Sequence, residues 1–451
     1  MRRGVCITGV GTVSALGLGV EALWEGMCAP RSALKPISTF DASGFACRLG
    51  GQLDELPVRD YVPKGYRKAT KVMARDSEIA VVAARLAVLD ARLRTRGSED
   101  GEEGFEITPA RTGAHIGAGL IAAETDELSR ALATSLDDDG TFSLRKWGTA
   151  PEVEGSGGAM NNLPPLWMLK YLPNMLACHV TIVHGAEGPS NTITCFDSSA
   201  LLCLGESARV IERGAADICF SGGAESKLNY MGMLRLEMGG RLAETGDETD
   251  GSRLVRPYDP GSAGTLIGEG GGILILEETA HARARGAKAY AEVAGFGAAL
   301  SPNPVRATFD GAPEADEGLS DAIEAALRDA GVSPSDIDAI VPAGLGVPSL
   351  DRAEAGALRR VFADRLASIP LVTSSPNFGA CHAGQGGLQA ALGAVCLRRQ
   401  MLPARIHGSA PARGLDAGAC DMRDADLSHV LVCTGALGGQ NAALVLRRTG
   451  G

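Results

Sequence analysis

Scarcities narrow this sequence first. Aromatic residues make up only 4% of its 451 positions, whereas glycine occurs 60 times. That pairing points to strands, helices and tight turns packed closely through small side chains. No apolar run approaches the ~18 residues a membrane helix needs, so no membrane span is expected. The eleven cysteines show no CxxC or other paired metal spacing. An odd number without a framework reads as reduced thiols, with no metal and no other cofactor expected. Basic charge is also short: 43 Lys and Arg stand against 54 Asp and Glu, a net charge of −11. A general nucleic-acid binder would show a basic face, so nucleic acid is not an expected partner. An acidic protein partner stays compatible, because docking depends on a local patch and not on the total.

Met1-Arg2-Arg3 followed by an apolar run superficially imitates an export signal. The run Val5–Gly11 reads instead as a strand entering a glycine turn, and a cytoplasmic protein is expected. Beyond it, β-rich apolar runs alternate with helical patterns, the mark of an α/β fold. Helices are expected over Lys71–Arg94, Ser199–Arg213, Gly318–Ala330, Asp351–Phe362 and Gly387–Arg399. Strands are expected at Val5–Gly9, His115–Gly117, Asn191–Phe196, Ile218–Ser221, Gly272–Leu276, Ala291–Gly295, Ala339–Pro342 and Val430–Thr434.

The two halves of the chain echo one another. Ile7-Thr8-Gly9-Val10-Gly11 has a counterpart in Val293-Ala294-Gly295-Phe296-Gly297, and His115–Leu120 in Ile340–Leu345. A duplicated architecture follows, with one half over residues 1–256 and the other over 257–451. Arg96–Glu106 reads as a solvated acidic loop, and Ser135–Pro165 as a long loop of functional or disordered type.

Several segments, in order along nearly the whole chain, resemble the β-ketoacyl-acyl-carrier-protein synthases of the thiolase-like fold (the KAS II-like type). These are Ile7–Gly11; Asn174–His179 followed by Gly188-Pro189-Ser190; Ser221-Gly222-Gly223-Ala224-Glu225; Arg256-Pro257-Tyr258-Asp259 with Gly268–Gly272; and Gly438-Gly439-Gln440-Asn441. The resemblance implies a five-layered αβαβα fold of two similar halves, and a dimer paired through the strand before the active-site turn. It also implies a catalytic set of one cysteine, two histidines and a lysine. The cysteine, at a helix N-terminus that lowers its pKa, holds the acyl thioester. The histidines polarise the malonyl thioester carbonyl and support its decarboxylation.

An ungapped match puts other residues at all four positions. Counting from Gly188 places Asp197 at the cysteine, where capping of the following helix is its expected role. The first histidine falls on Ala343, in a register fixed by Asp351 and Glu354. The second falls on Ala380, and the lysine on Ser375. None of these four residues can do what the family asks of its position. The segment Gly344–Asp351 further resembles that of type II polyketide chain-length factors, the non-condensing partners that wall the acyl tunnel of a true synthase. The resemblance therefore implies three possible partners: an acyl carrier protein, an acyl chain, and either a catalytically complete ketosynthase or a second copy of this chain.

Two other readings stay open at this point. Cys195, if the strand reaches it, projects to the same side as Asp197 and is the best displaced nucleophile. His382 is its candidate base if the loop shifts inward. Ser198 and Ser199 are expected to cap the helix, Cys203 to point elsewhere, and His179 to be structural. An acyl- or carrier-protein-binding homodimer is the remaining alternative. Leu120 is expected to line the acyl channel. Gly435, standing where the family has a phenylalanine gate, is expected to open space there.

Overall fold

The computed structural model describes residues 2–29, 31–99, 101–148, 158–301, 314–407, 411–435 and 438–450. Nine of the ten described strands of its main sheet lie side by side, with the short strand Gly17–Leu18 off their path. They are β1 (Val5–Ser14), β2 (Thr112–Gly117), β3 (Ser190–Ile193), β4 (Ile218–Glu225), β5 (Gly270–Glu278), β6 (Ala291–Leu300), β7 (Ala339–Val341), β8 (His429–Gly435) and β9 (Gln440–Arg447). Their order is β7-β8-β9-β6-β1-β5-β4-β2-β3.

This order is two similar sets meeting at one seam. β1 runs antiparallel to β5 and β5 antiparallel to β4, while β4, β2 and β3 are parallel. In the second set β6 runs antiparallel to β9 and β9 antiparallel to β8, while β8 and β7 are parallel. Among the described residues only Cys6 with Glu292 and Ile7 with Ala291 pair across the seam. Both leading strands carry a bulge at the same step of their motif, between Ile7 and Gly9 and between Val293 and Gly295. The echo seen in the sequence has a packing cause. A Cβ on Gly11 would stand 1.9 Å from the Ala83 carbonyl oxygen, and one on Gly297 would stand 2.1 Å from that of Ala322. Each glycine lets its strand press directly on a helix backbone.

Six helices complete the layers: α1 (Arg75–Asp90), α2 (Met175–His184), α3 (Ser199–Glu212), α4 (Glu317–Ala330), α5 (Pro348–Phe362) and α6 (Gln385–Arg399). Three apolar cores separate them. One joins α1 and α2 to the first strand set through Val81, Val180, Ile116, Phe220 and Ile273. The middle core puts Leu201 and Leu204 of α3 and Leu388 and Leu392 of α6 against Val10, Leu274, Val432 and Leu444. The third joins α4 and α5 to the second set through Ile323, Leu358, Leu431 and Val445. The layers read α, β, α, β, α, as expected.

Several expected boundaries move. β1, β4 and β5 run on through glycines and polar residues, because a strand buried on both faces does not alternate, and β6 runs on to Leu300 with alternating burial. β9 was not expected at all. β3 stops at Ile193, short of Phe196, because Phe196 takes φ +51° and turns the chain into a 3₁₀ segment. The stretch Ser135–Pro165 is not all loop: Leu144–Gly148 is helical and Ala159–Asn162 forms a 3₁₀ turn, while 149–157 lie outside the described residues. Phe105–Glu106 forms a short strand beside Leu93–Arg94. No helix among the described residues is long and apolar enough to cross a membrane.

Candidate functional site

The turn after β3 carries Asp197, which is 1% exposed. It does not cap α3, since no side-chain capping bond forms there. Its Oδ1 lies 3.0 Å from Nδ1 of His382, and its Oδ2 accepts from Nη1 and Nη2 of Arg241 at 3.3 and 3.4 Å. Burial opposes the charge. Arg241 first and His382 second outweigh it and hold the carboxyl below its ordinary range. A full guanidinium charge is a stronger partner for a buried carboxylate than a helix end is.

His382 reaches this point with no loop shift. Gly379 at φ +82° and His382 itself at φ +44° turn the chain inward, and the Ala383 N–H donates to Glu225 Oε2 at 2.8 Å. Its ring stacks on Phe196 with centroids 4.7 Å apart and planes at 25°, and the Arg241 guanidinium carbon stands 5.3 Å from the Phe196 centroid. Sequence reasoning missed Arg241 altogether. Nothing in its neighbourhood announces it, since its partner lies 44 residues back.

Ala343 and Ala380 are brought together. With Leu345 and Val347 they form a small apolar cluster apart from the main cores. The backbone carrying Ala343 is held from below by two carboxylates. The N–H groups of Ala343 and Gly344 donate to Glu354, each at 2.9 Å, and those of Leu345 and Gly346 to Asp351, each at 3.0 Å. Tyr258 adds its N–H to Asp351 and its hydroxyl to Glu354, both at 2.8 Å. Ser375 Oγ donates to the Gly344 carbonyl. No cation pairs with these acids among the described residues. Burial, reinforced by the charge of Glu354, pushes the Asp351 carboxyl up to about 7.

The displaced-nucleophile arrangement is not formed. Because β3 ends early, Cys195 is no longer a strand residue facing with Asp197, and burial raises its thiol pKa. No hydrogen bond joins it to an imidazole among the described residues, and His382 Nδ1 is engaged by Asp197. Ser198 and Ser199 do not cap α3. Ser198 Oγ donates to the Gln440 carbonyl at 2.8 Å, and Ser199 Oγ accepts the Cys195 N–H at 2.9 Å. Cys203 is fully buried, and His179 Nδ1 is hydrogen-bonded to the Tyr66 hydroxyl. Leu120 is 61% exposed and lies on the surface of this chain, not inside it. Gly435 opens no space, because a Cβ there would stand 2.5 Å from Asn441 Oδ1. Asn441 occupies the volume that the glycine leaves.

Residues 2–282 match the N-terminal domain of β-ketoacyl synthases, and residues 290–409 match their C-terminal domain. The chain belongs to the β-ketoacyl synthase family. It is 28% identical over 446 residues to 3-oxoacyl-[acyl-carrier-protein] synthase 2 of Staphylococcus aureus (strain COL), covering 98% of each chain. It is likewise 28% identical over 457 residues to the Vibrio harveyi protein of that name, covering 99% of each. The solved ishigamide ketosynthase/chain length factor superposes with a TM-score of 0.80 at 25% identity, over 100% of both chains. This is a ketosynthase-like protein of fatty-acid or polyketide synthesis.

On this ketosynthase fold one further surface stands out against the acidic total. Arg59, Lys64, Lys68 and Lys71 are exposed and Arg67 half-exposed on the approach to α1, with Asp60 the one acid among them. None of these five side chains has an ion-pair partner among the described residues. The clustering of cations over Arg59–Lys71 is legible in the sequence.

Proposed function

We propose that this chain is a non-condensing partner of the chain-length-factor type, which shapes the acyl tunnel of a catalytically complete ketosynthase. One observation carries the reading. The positions matched to the family's cysteine, two histidines and lysine hold Asp197, Ala343, Ala380 and Ser375, and Asp197 is engaged by Arg241 and His382. Without a thiolate there is no acyl-enzyme, and without imidazoles at Ala343 and Ala380 nothing polarises a malonyl thioester. The likeness to a ketosynthase/chain length factor supports the same reading.

The dimer forms through β3. This strand ends the sheet, pairs on one side with β2, and exposes or half-exposes all four of its residues. Pairing with a counterpart strand covers an edge that would otherwise invite aggregation. The exposed Leu120, three residues beyond β2, is then placed for contact with the partner's acyl chain. The strip Arg59–Lys71 supplies a local basic surface for an acidic carrier protein. Co-expression with candidate synthases, followed by native mass measurement, tests the assignment. A one-to-one heterodimer is expected. A homodimer that ignores every synthase offered, or a stable monomer at micromolar concentration, overturns it.

A further inference from the structure

The Asp197 cluster is more than a plug. Both carboxylate oxygens are occupied, one by His382 Nδ1 and the other by Arg241. With Asp197 ionised, Nδ1 must carry the proton of the bond between them, and Arg241 already balances the carboxylate charge. An imidazole carrying that single proton has its lone pair on Nε2. Among the described residues that nitrogen has no hydrogen-bond partner, although His382 is only 2% exposed; Arg241 Nε, on a side chain 3% exposed, has none among them either. A buried acceptor and a buried donor flanking one carboxylate are each costly to leave unmade, and a water or hydroxyl can satisfy both kinds. The stacked Phe196 ring fixes the imidazole plane, and both ring-bearing residues sit at positive φ, at +51° and +44°. A carboxylate, an imidazole locked to one tautomer and a free Nε2 make an oriented general base.

Resting on the reading that this fold holds an acyl chain, we propose that His382 is a general base for hydrolysis of acyl thioesters, with Asp197 and Arg241 as its positioning residues. Water attacks the thioester carbonyl carbon while Nε2 takes its proton. The tetrahedral intermediate collapses, the C–S bond breaks, and the imidazolium returns the proton to the leaving thiolate. The products are a carboxylic acid and a thiol, with no acyl-enzyme and no redox change. Such an activity releases chains at a site that cannot extend them.

The test uses the full chain, in complex with its synthase where it requires one, and octanoyl-N-acetylcysteamine as probe in ¹⁸O-water. To keep a partner synthase from contributing, its nucleophilic cysteine is replaced by alanine. Thiol release with one ¹⁸O atom in the octanoate is expected. His382→Asn should lower the rate by about 10²-fold or more. Asp197→Asn keeps the shape but presents an amide N–H to Nδ1, so the tautomer reverses and the rate should fall comparably. Added imidazole should restore part of the activity to His382→Gly, which a purely structural role for His382 would not allow. Binding of the probe, read as a rise in Tm, without hydrolysis overturns the general-base assignment alone. Absence of binding overturns the acyl-pocket reading and the assignment with it. Hydrolysis that survives both His382→Asn and Asp197→Asn also overturns the assignment.

Discussion

Two fully buried aspartates, Asp197 and Asp351, end with carboxyls shifted in opposite directions. Asp351 accepts backbone N–H groups alone, from Tyr258, Leu345 and Gly346, and has Glu354 beside it, and its carboxyl is pushed up to about 7. Asp197 is as deeply buried, yet Arg241 and His382 keep it below the ordinary carboxylate range. Backbone dipoles do not offset desolvation together with a neighbouring carboxylate, whereas a guanidinium does. The contrast bears on function. Bringing Ala343 and Ala380 together requires only that small apolar side chains meet. Keeping a charged carboxylate buried at Asp197 requires a cation brought from another segment.

The sharpest way to break this comparison is to remove the cation. Arg241→Met, which keeps much of the stem, strands the Asp197 charge and should cost about 3–5 kcal/mol at pH 7 in urea unfolding. Adding Asp197→Asn to that variant should recover most of the loss. A loss below about 1 kcal/mol would mean that Asp197 is not charged there. The matching change at the other acid is milder. Asp351→Asn leaves one buried N–H facing an amide donor and should cost about 1–3 kcal/mol.

The pH dependence separates the two most finely. A carboxyl whose folded pKa is raised stabilises the fold when protonated, so the Asp351 contribution is present at low pH and is lost as pH rises through about 7. A depressed carboxyl does the reverse: the Asp197 contribution is present above the unfolded value of about 3.9 and is lost as pH falls through its folded value. Between pH 8 and 5 the stability gap between the unsubstituted chain and Asp351→Asn should therefore shift in favour of the unsubstituted chain. The gap to Asp197→Asn should stay flat over that window. Urea midpoints at the two pH values decide it, and equal slopes for the two variants would remove the distinction.

The legible parts of this molecule were those written in local sequence. The G-x-G echoes at Gly9 and Gly295 identified two strands that press on helix backbones, and Asp351 and Glu354 set the register of the loop they hold. Helix cores were placed well, because α3, α4 and α5 show apolar periodicity up to their ends, while α6 is buried on every face except at its last residues. Strand limits were not, because glycine and polar positions inside a doubly covered sheet carry no alternation. The site itself was legible only as a set of positions. His382 reaches Asp197 across 185 residues through two left-handed turns, and Arg241 arrives across 44, so no local pattern encodes their meeting. Gly435 misled for the same reason: the volume it vacates is taken by Asn441, across the neighbouring strand.

A smaller effect concerns the turn chemistry. On the proposed reading, Asp197→Cys alone should give no malonyl-dependent elongation, because Ala343 and Ala380 still supply no imidazole. Elongation by that single variant, followed by product mass, would place the missing imidazoles elsewhere.

The most direct measurement is the intact mass of each subunit after the purified complex is incubated with acyl-carrier protein bearing an acyl chain. The proposed role predicts a thioester adduct on the synthase and none on this chain. A stoichiometric thioester on any cysteine of this chain would contradict it.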